Sequence, residues 1–212
     1  NLNVVISTHP DTDHIGGLSA ILQKCNVTYL VLNDPRDYFE ENSLLKVAKS
    51  SLTDEQYGLF KSAFDRIDDL KNIAQNNSVK ILSLFGSSKS VTTIGEWNLY
   101  IVNPSVQLFT DLWGQEDTIK NWFSTDVDDL NGLIKTGNSI IDDPDIDTAP
   151  INNTSIMLFI EGYGKKYLFT GDAGKRAIRE ARAIKDLSSL SWLDVPHHGS
   201  RRNVDSEILK HF

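Results

Sequence analysis

The sequence predicts an α/β fold whose strand ends carry the chemistry. Three observations point there. The apolar run Leu2-Asn3-Val4-Val5-Ile6 stops at Ser7-Thr8-His9-Pro10-Asp11-Thr12-Asp13-His14, which sets two imidazoles and two carboxylates within six residues. A helical pattern and a second apolar run follow at once, a β-loop-α-β order that implies a sheet covered by helices. Two later strand-like runs also end in ligand-type side chains, Tyr167-Leu168-Phe169-Thr170-Gly171-Asp172 and Trp192-Leu193-Asp194-Val195-Pro196-His197-His198.

The β-branched content of residues 2–7 reads as a buried strand delivering its loop to a site. Ile15, Leu18, Ile21, Leu22 and Cys25 recur at helical spacing, with Gly16-Gly17 expected in the first turn of that helix. Residues 27–32 form the next strand. Residues 34–77 read as polar helix, with Thr53 as an N-cap ahead of Asp54 and Glu55. Phe60, Phe64, Ile67, Leu70 and Ile73 give that helix an apolar stripe, read as core contact. Strands are expected at 79–84 and 98–102, with turns at Gly86-Ser87-Ser88 and Ile94-Gly95-Glu96.

Residues 104–150 are the least regular, and read as an insertion or lid with some helix at 118–123, or as a solvated acidic loop. Within them 142–147 resembles a calcium loop in composition only, because the Gly and distal Glu of an EF-hand are missing. Strands at 155–160 and 166–170, joined through Gly162-Tyr163-Gly164, form a hairpin ending at Asp172. The helix 174–186 turns Ala177, Ile178, Ala181 and Ile184 inward and Lys175, Arg176, Arg179 and Arg182 outward, a solvated face or a track for phosphates.

The chain has 212 residues, enough for one large domain, 1–212, with 34–77 and 104–150 as insertions. Its net charge of −8 argues against a broad nucleic-acid-coating surface. The charge is uneven: residues 111–147 hold ten acidic residues and two lysines, whereas 165–185 hold seven basic residues and two acidic ones. A single cysteine, Cys25, excludes an intramolecular disulfide framework and reads as a core residue. No apolar run approaches the roughly 20 residues of a membrane span, so no membrane contact is expected of this segment, and a cytoplasmic location is favoured.

Imidazoles and carboxylates gathered at strand ends are the ligands that borderline-to-hard divalent metals prefer, and packing alone does not account for them. His9-x-Asp11-x-Asp13-His14 with Ile15-Gly16-Gly17, then Thr170-Gly171-Asp172-Ala173, then Val195-Pro196-His197-His198-Gly199-Ser200, resembles the metallo-β-lactamase superfamily. Within it the chain looks most like the hydrolase domain of ComEC-type competence proteins and their stand-alone relatives. These share an Asp in place of the second motif His, an Asn-x-x-Ser before the Gly-Asp strand (here Asn152-Asn153-Thr154-Ser155), and the His-His-Gly-Ser ending.

The resemblance implies an αββα sandwich with metals at the strand ends. Such folds carry several strands ahead of the first motif, where this sequence has about six residues. The expectation is therefore a sheet lacking its leading strands, completed by another segment or chain. The chain also has no His between His14 and His197, where many members place a ligand before the bridging Asp; Asn152 or Asn153 stands in that neighbourhood.

By the motif, Asp13, His14, Asp172 and His198 build one metal site, and His9, Asp11 and Asp172 the other, with Asp172 bridging. An alternative makes His197 the ligand and His198 its neighbour. The oxygen-rich second site suits zinc weakly, or manganese, so the expectation is one or two zinc ions, with a single-ion enzyme as the alternative. A divalent ion brings the pKa of water from about 15.7 to near 7. Asp13 or Asp11 would orient the nucleophile, and His197 would contact a phosphoryl oxygen or protonate a leaving group.

The leading functional expectation is a metal-dependent phosphodiesterase or nuclease acting on DNA or RNA. The alternatives are a small-molecule phosphodiesterase or an ester or lactone hydrolase, and a sensing or structural domain of a larger assembly with a weak or inactive site.

Overall fold

The computed structural model describes residues 1–114, 116–120, 148–200 and 202–212. In chain order its elements are β1 (Leu2–Ile6), α1 (Thr12–Ile15), α2 (Leu18–Lys24), β2 (Val27–Val31), α3 (Glu41–Ser51), α4 (Asp54–Asn76), β3 (Lys80–Leu82), β4 (Thr92–Ile94), β5 (Trp97–Asn103), α5 (Val106–Gly114), α6 (Glu116–Lys120), β6 (Met157–Gly162), β7 (Lys165–Phe169), α7 (Lys175–Ile184), β8 (Trp192–Leu193) and α8 (Ser206–Leu209). The mixed α/β architecture is the expected class. The backbone divides into two compact units: Asn1–Leu84 with Gly114–Lys120, and Phe85–Trp113 with the described residues of 148–212.

The first unit is built on a parallel sheet in the order β1-β2-β3, with Val4 opposite Tyr29 and Leu30 opposite Ile81. Parallel pairing puts the C-terminal ends of these strands along one edge, so the loop after β1 and the loop after β2 emerge side by side. Buried Leu22, Leu30, Ile67, Leu70 and Ala74 pack α2 and α4 onto the sheet. The apolar stripe of α4 is therefore core, as its spacing predicts.

The start of α4 is fixed by a capping box: Thr53 Oγ1 accepts from Gln56 N at 3.2 Å while Gln56 Oε1 accepts from Thr53 N at 3.1 Å. The helix expected around Gly16-Gly17 is two helices. Gly16 closes α1 and Gly17 opens α2, so the first turn begins earlier, at Thr12, inside the His/Asp cluster.

The second unit is a five-stranded sheet, β4-β5-β6-β7-β8, antiparallel except for the β7–β8 pair. Strand β4 was not expected. Its residues Thr92–Ile94 form a hairpin with β5 through Gly95, which adopts a φ of +62°. Such a short, exposed strand carries too little apolar alternation to register in the sequence. The β6–β7 hairpin turns at Tyr163 and Gly164, both with positive φ, the geometry that matches the right-handed twist of paired strands.

One sheet face supplies Tyr100, Val102, Met157, Phe159 and Leu168 to a core shared with Ala177, Ile178 and Ala181 of α7. Lys175 departs from the outer face assigned to it: it is almost fully buried, with its ammonium 3.9 Å from Asp205. The acidic stretch 121–147, including the calcium-like composition at 142–147, lies outside the described residues.

A buried ion network ties the first unit together just beyond β2. The Asp34 carboxylate is almost wholly buried, accepts from Arg36 through the backbone N and the guanidinium, and accepts from Lys71 Nζ at 2.6 Å. Arg36 reaches on to Asp68 and Glu41. Burial alone would favour the protonated acid, but the hydrogen bonds from Arg36 and Lys71 outweigh it and hold Asp34 below the ordinary carboxylate range.

A depressed folded pKa contributes stability that is present above the unfolded value, about 3.9, and is lost as pH falls through the folded value. Asp34→Ala is expected to cost about 2–4 kcal/mol at neutral pH, somewhat below a fully buried pair because both cations keep some solvent. In urea denaturation, the gap between the two proteins should narrow as the pH is lowered below about 4.

Candidate metal centre

The first group of candidate ligands follows β1. Ser7 N donates to Val31 O at 2.9 Å, extending the β1–β2 ladder to the threshold of the motif. Beyond it, Thr8 Oγ1 lies 3.1 Å from His9 Nδ1 and 3.4 Å from His14 Nδ1. A hydroxyl oxygen has room for two donors. Both imidazoles can therefore hold their proton on Nδ1 and present Nε2 to the neighbouring carboxylates.

His9 Nε2 lies 3.5 Å from Asp11 Oδ2, and His14 Nε2 lies 3.4 Å from Asp13 Oδ2. The two rings stand 4.2 Å apart, with the His9 side chain fully buried and the Asp13 side chain largely exposed. Arg66 of α4 secures the loop from below: its Nε and Nη2 donate to Pro10 O at 3.2 and 3.1 Å. Burial lowers the Arg66 pKa, and nearby Asp11 and Asp65 partly offset that.

The second group follows β7. Asp172 is buried in a tight turn after Thr170, with Gly171 at φ +54°. Thr170 Oγ1 donates to Asp194 O at 2.7 Å and His197 N donates to Gly171 O at 3.1 Å, which lays the 194–197 segment alongside the Asp172 turn. His197 Nε2 ends 3.6 Å from Asp172 Oδ2. His198 is exposed, with its ring 6.1 Å from that of His197. His197, His198 and Gly199 all have positive φ, at 50°, 54° and 84°. For the two histidines this costs roughly 1–2 kcal/mol each, strain of the kind that collects at functional sites.

The distances have one chemical reading in common. At 3.4–3.6 Å the three imidazole–carboxylate pairs exceed hydrogen-bond range for well-aligned N–H···O contacts. Two donor atoms bound tetrahedrally at about 2.0–2.2 Å from one ion lie about 3.3–3.6 Å apart. Each pair therefore has the spacing of ligands to a common ion, and the donor set fits a divalent metal.

Three supporting residues escaped the sequence. Arg66 sits far from the motif it holds, with no local signal. Asn203 and Ser155 buttress Asp172: Ser155 Oγ accepts from Asp172 N at 3.2 Å, and Asn203 Nδ2 donates to Asp172 O at 2.8 Å. The Asn-x-x-Ser resemblance marked the segment but not this role. Asn153 Oδ1 accepts from Gly174 N and Ala177 N, and Asn152 Nδ2 donates to Thr148 Oγ1. Those amides serve backbone and side-chain hydrogen bonds rather than taking the place of a missing histidine.

A mixed α/β architecture thus carries imidazole–carboxylate pairs at its strand ends. The family model of the metallo-beta-lactamase superfamily matches residues 1–210, and the chain belongs to that superfamily. Its members are mostly metal-dependent hydrolases that bind metal ions. No curated protein matches the chain. Among the described residues no helix is long and apolar enough to cross a membrane.

Arg66→Ala is expected to release the Pro10 carbonyl and cost about 1.5–3 kcal/mol, the range for a hydrogen bond to a charged group. Hydrogen–deuterium exchange should show faster amide exchange at residues 8–15 and little change in β5–β7.

Proposed function

We propose that the chain is a metal-dependent phosphodiesterase. The observation that carries the reading is the ligand chemistry at the strand ends, where Asp11, Asp13 and Asp172 each sit beside an imidazole at ligand-to-ligand spacing. The motif resemblance is what assigns these groups to ions. Asp13, His14, Asp172 and His198 would hold one ion, and His9, Asp11 and Asp172 a second, with Asp172 shared. The 3.6 Å His197–Asp172 spacing supports the alternative in which His197 replaces His198 as ligand. Zinc suits the imidazoles, and manganese suits the carboxylate-rich set.

When bound, a divalent ion supplies Lewis acidity and brings the pKa of water near 7. The chain supplies the rest. Asp11 and Asp13 are acceptors that orient an attacking water, and partly exposed Asp13 leaves that side open to substrate. His197, where it is not a ligand, can donate to a phosphoryl or leaving-group oxygen. The backbone of buried Asp172 is held by the Ser155 hydroxyl and the Asn203 amide, so the position from which its side chain departs is fixed.

Two substrate readings have separate support. Resemblance to the ComEC-type hydrolase domain favours DNA, or RNA by the same chemistry. Three of the four cations of α7 favour a small phosphodiester: Lys175 is buried, Arg176 pairs with Glu180 at 3.2 Å, and Arg179 pairs with Asp205 and Glu207. Arginines already engaged with carboxylates make a poor phosphate track.

The test is elemental analysis beside Asp172→Ala, then turnover of bis-p-nitrophenyl phosphate, DNA and RNA with zinc or manganese. About two ions per chain, lost in the variant, with phosphodiester cleavage, is the expected result. A steep fall of binding with salt marks nucleic acid and a shallow one marks a small substrate. Metal with ester or lactone turnover, and none of phosphodiesters, overturns the substrate reading. No metal under any loading condition leaves a sensing or structural domain.

A further inference from the structure

We infer that Asn203 is a positioning residue that selects the tautomer of His197 and so aims its Nε2 lone pair at the Asp172 carboxylate. The inference rests on the metal-centre reading for its purpose, but its geometry lies wholly within the second unit. Asn203 is fully buried. Its Nδ2 donates to Asp172 O at 2.8 Å and to Ala173 O at 3.2 Å. Two carbonyl oxygens can only accept, so the amide nitrogen must face them and Oδ1 must face the other way.

Oδ1 lies 3.2 Å from His197 Nδ1. An amide oxygen only accepts, so His197 must carry its proton on Nδ1. The neutral imidazole then has its lone pair on Nε2, the atom 3.6 Å from Asp172 Oδ2. The nitrogen presented to the carboxylate is thus a ligand-competent acceptor rather than a donor.

The consequence is a division of labour between adjacent histidines. With Nδ1–H held by Asn203 and Nε2 unprotonated, neutral His197 is set up as a ligand and not as a proton donor to a leaving group. Asn203 also couples the two ligands mechanically, because the amide that orients the ring grips the backbone of Asp172 and Ala173. Displacing one displaces the other. Outer partners of this kind fix the tautomer of a metal-binding histidine, and losing them costs about 10–100-fold in metal affinity.

The experiment is long-range 15N–1H correlation NMR of the metal-free full chain at about pH 8, above the ordinary histidine range, on wild type, Asn203→Ala and Asn203→Asp. Wild-type His197 is expected as the Nδ1–H tautomer. Asn203→Ala should shift it to a mixture rich in Nε2–H. Asn203→Asp, which keeps an acceptor facing Nδ1, should restore Nδ1–H although both backbone hydrogen bonds are lost. A purely structural role would lower the folding temperature of both variants and leave the tautomer alone.

A chelator-competition titration adds the metal arm: zinc binding about 10–100-fold weaker in Asn203→Ala, and largely recovered in Asn203→Asp. Wild-type His197 as Nε2–H overturns the inference even if Asn203→Ala does not fold, and so does an unchanged tautomer in a folded Asn203→Ala. If wild type binds no metal but the tautomer follows residue 203, the metal reading fails and the positioning assignment stands.

Discussion

A strand that stops leaves backbone donors and acceptors without partners, and in a buried loop each must be satisfied or it costs free energy comparable to a lost hydrogen bond. Each group of candidate residues depends on how that constraint is met. Around Asp172 it is met by side chains: Ser155 takes the Asp172 N–H, Asn203 takes the carbonyls of residues 172 and 173, Asn153 takes the N–H groups that open α7, and Thr170 takes the carbonyl of Asp194. Around the first motif it is met by Arg66 on Pro10. These contacts complete the backbone and fix the positions from which the acids and imidazoles depart.

The arrangement has a cost that the scaffold bears. Imidazoles and carboxylates are held side by side, and the chain passes through left-handed conformations at His197 and His198. Such positions persist where the surroundings over-determine them. The Gly171 carbonyl holds the His197 N–H, and Asn203 holds the His197 ring. Side chains ordered beforehand lose less freedom on binding, which is the advantage of holding them at strand ends rather than on longer loops.

Much of this was legible in the residues. The β-branched runs announced β1 and β2 as strands, although β1 is mostly exposed rather than buried; the stripe from Phe60 to Leu70 announced the buried face of α4, and Thr53 announced its cap. The His-x-Asp-x-Asp-His, Gly-Asp and His-His-Gly motifs marked where imidazoles and acids meet at the strand ends, a gathering that is hard to account for by packing. What stayed hidden follows a physical rule. Arg66, Asn203 and Ser155 act through hydrogen bonds to backbone atoms distant in sequence, and a contact to a carbonyl leaves no compositional trace. Lys175 was misplaced for a related reason: in a helix of alternating cations, periodicity puts every charge outside, and only the fold reveals that Asp205 waits on the inside for one of them.

The same contrast separates structural from functional acids. Asp34 follows β2, and β2 is the parallel neighbour of β1, so it stands at the sheet edge that carries the first motif. Position alone would nominate it as a ligand. Its oxygens, however, are engaged by the Arg36 guanidinium and the Lys71 ammonium, and those hydrogen bonds outweigh burial to keep it ionised. A carboxylate already neutralised by two cations has little to offer a metal. Asp11, Asp13 and Asp172 face imidazoles instead, at spacings too long for a good hydrogen bond and suited to a shared ion. An imidazole can give up its proton near neutral pH and become a ligand, which a guanidinium cannot do. The partner of each acid, more than its place on the strand, decides which acids hold the fold and which are available for chemistry.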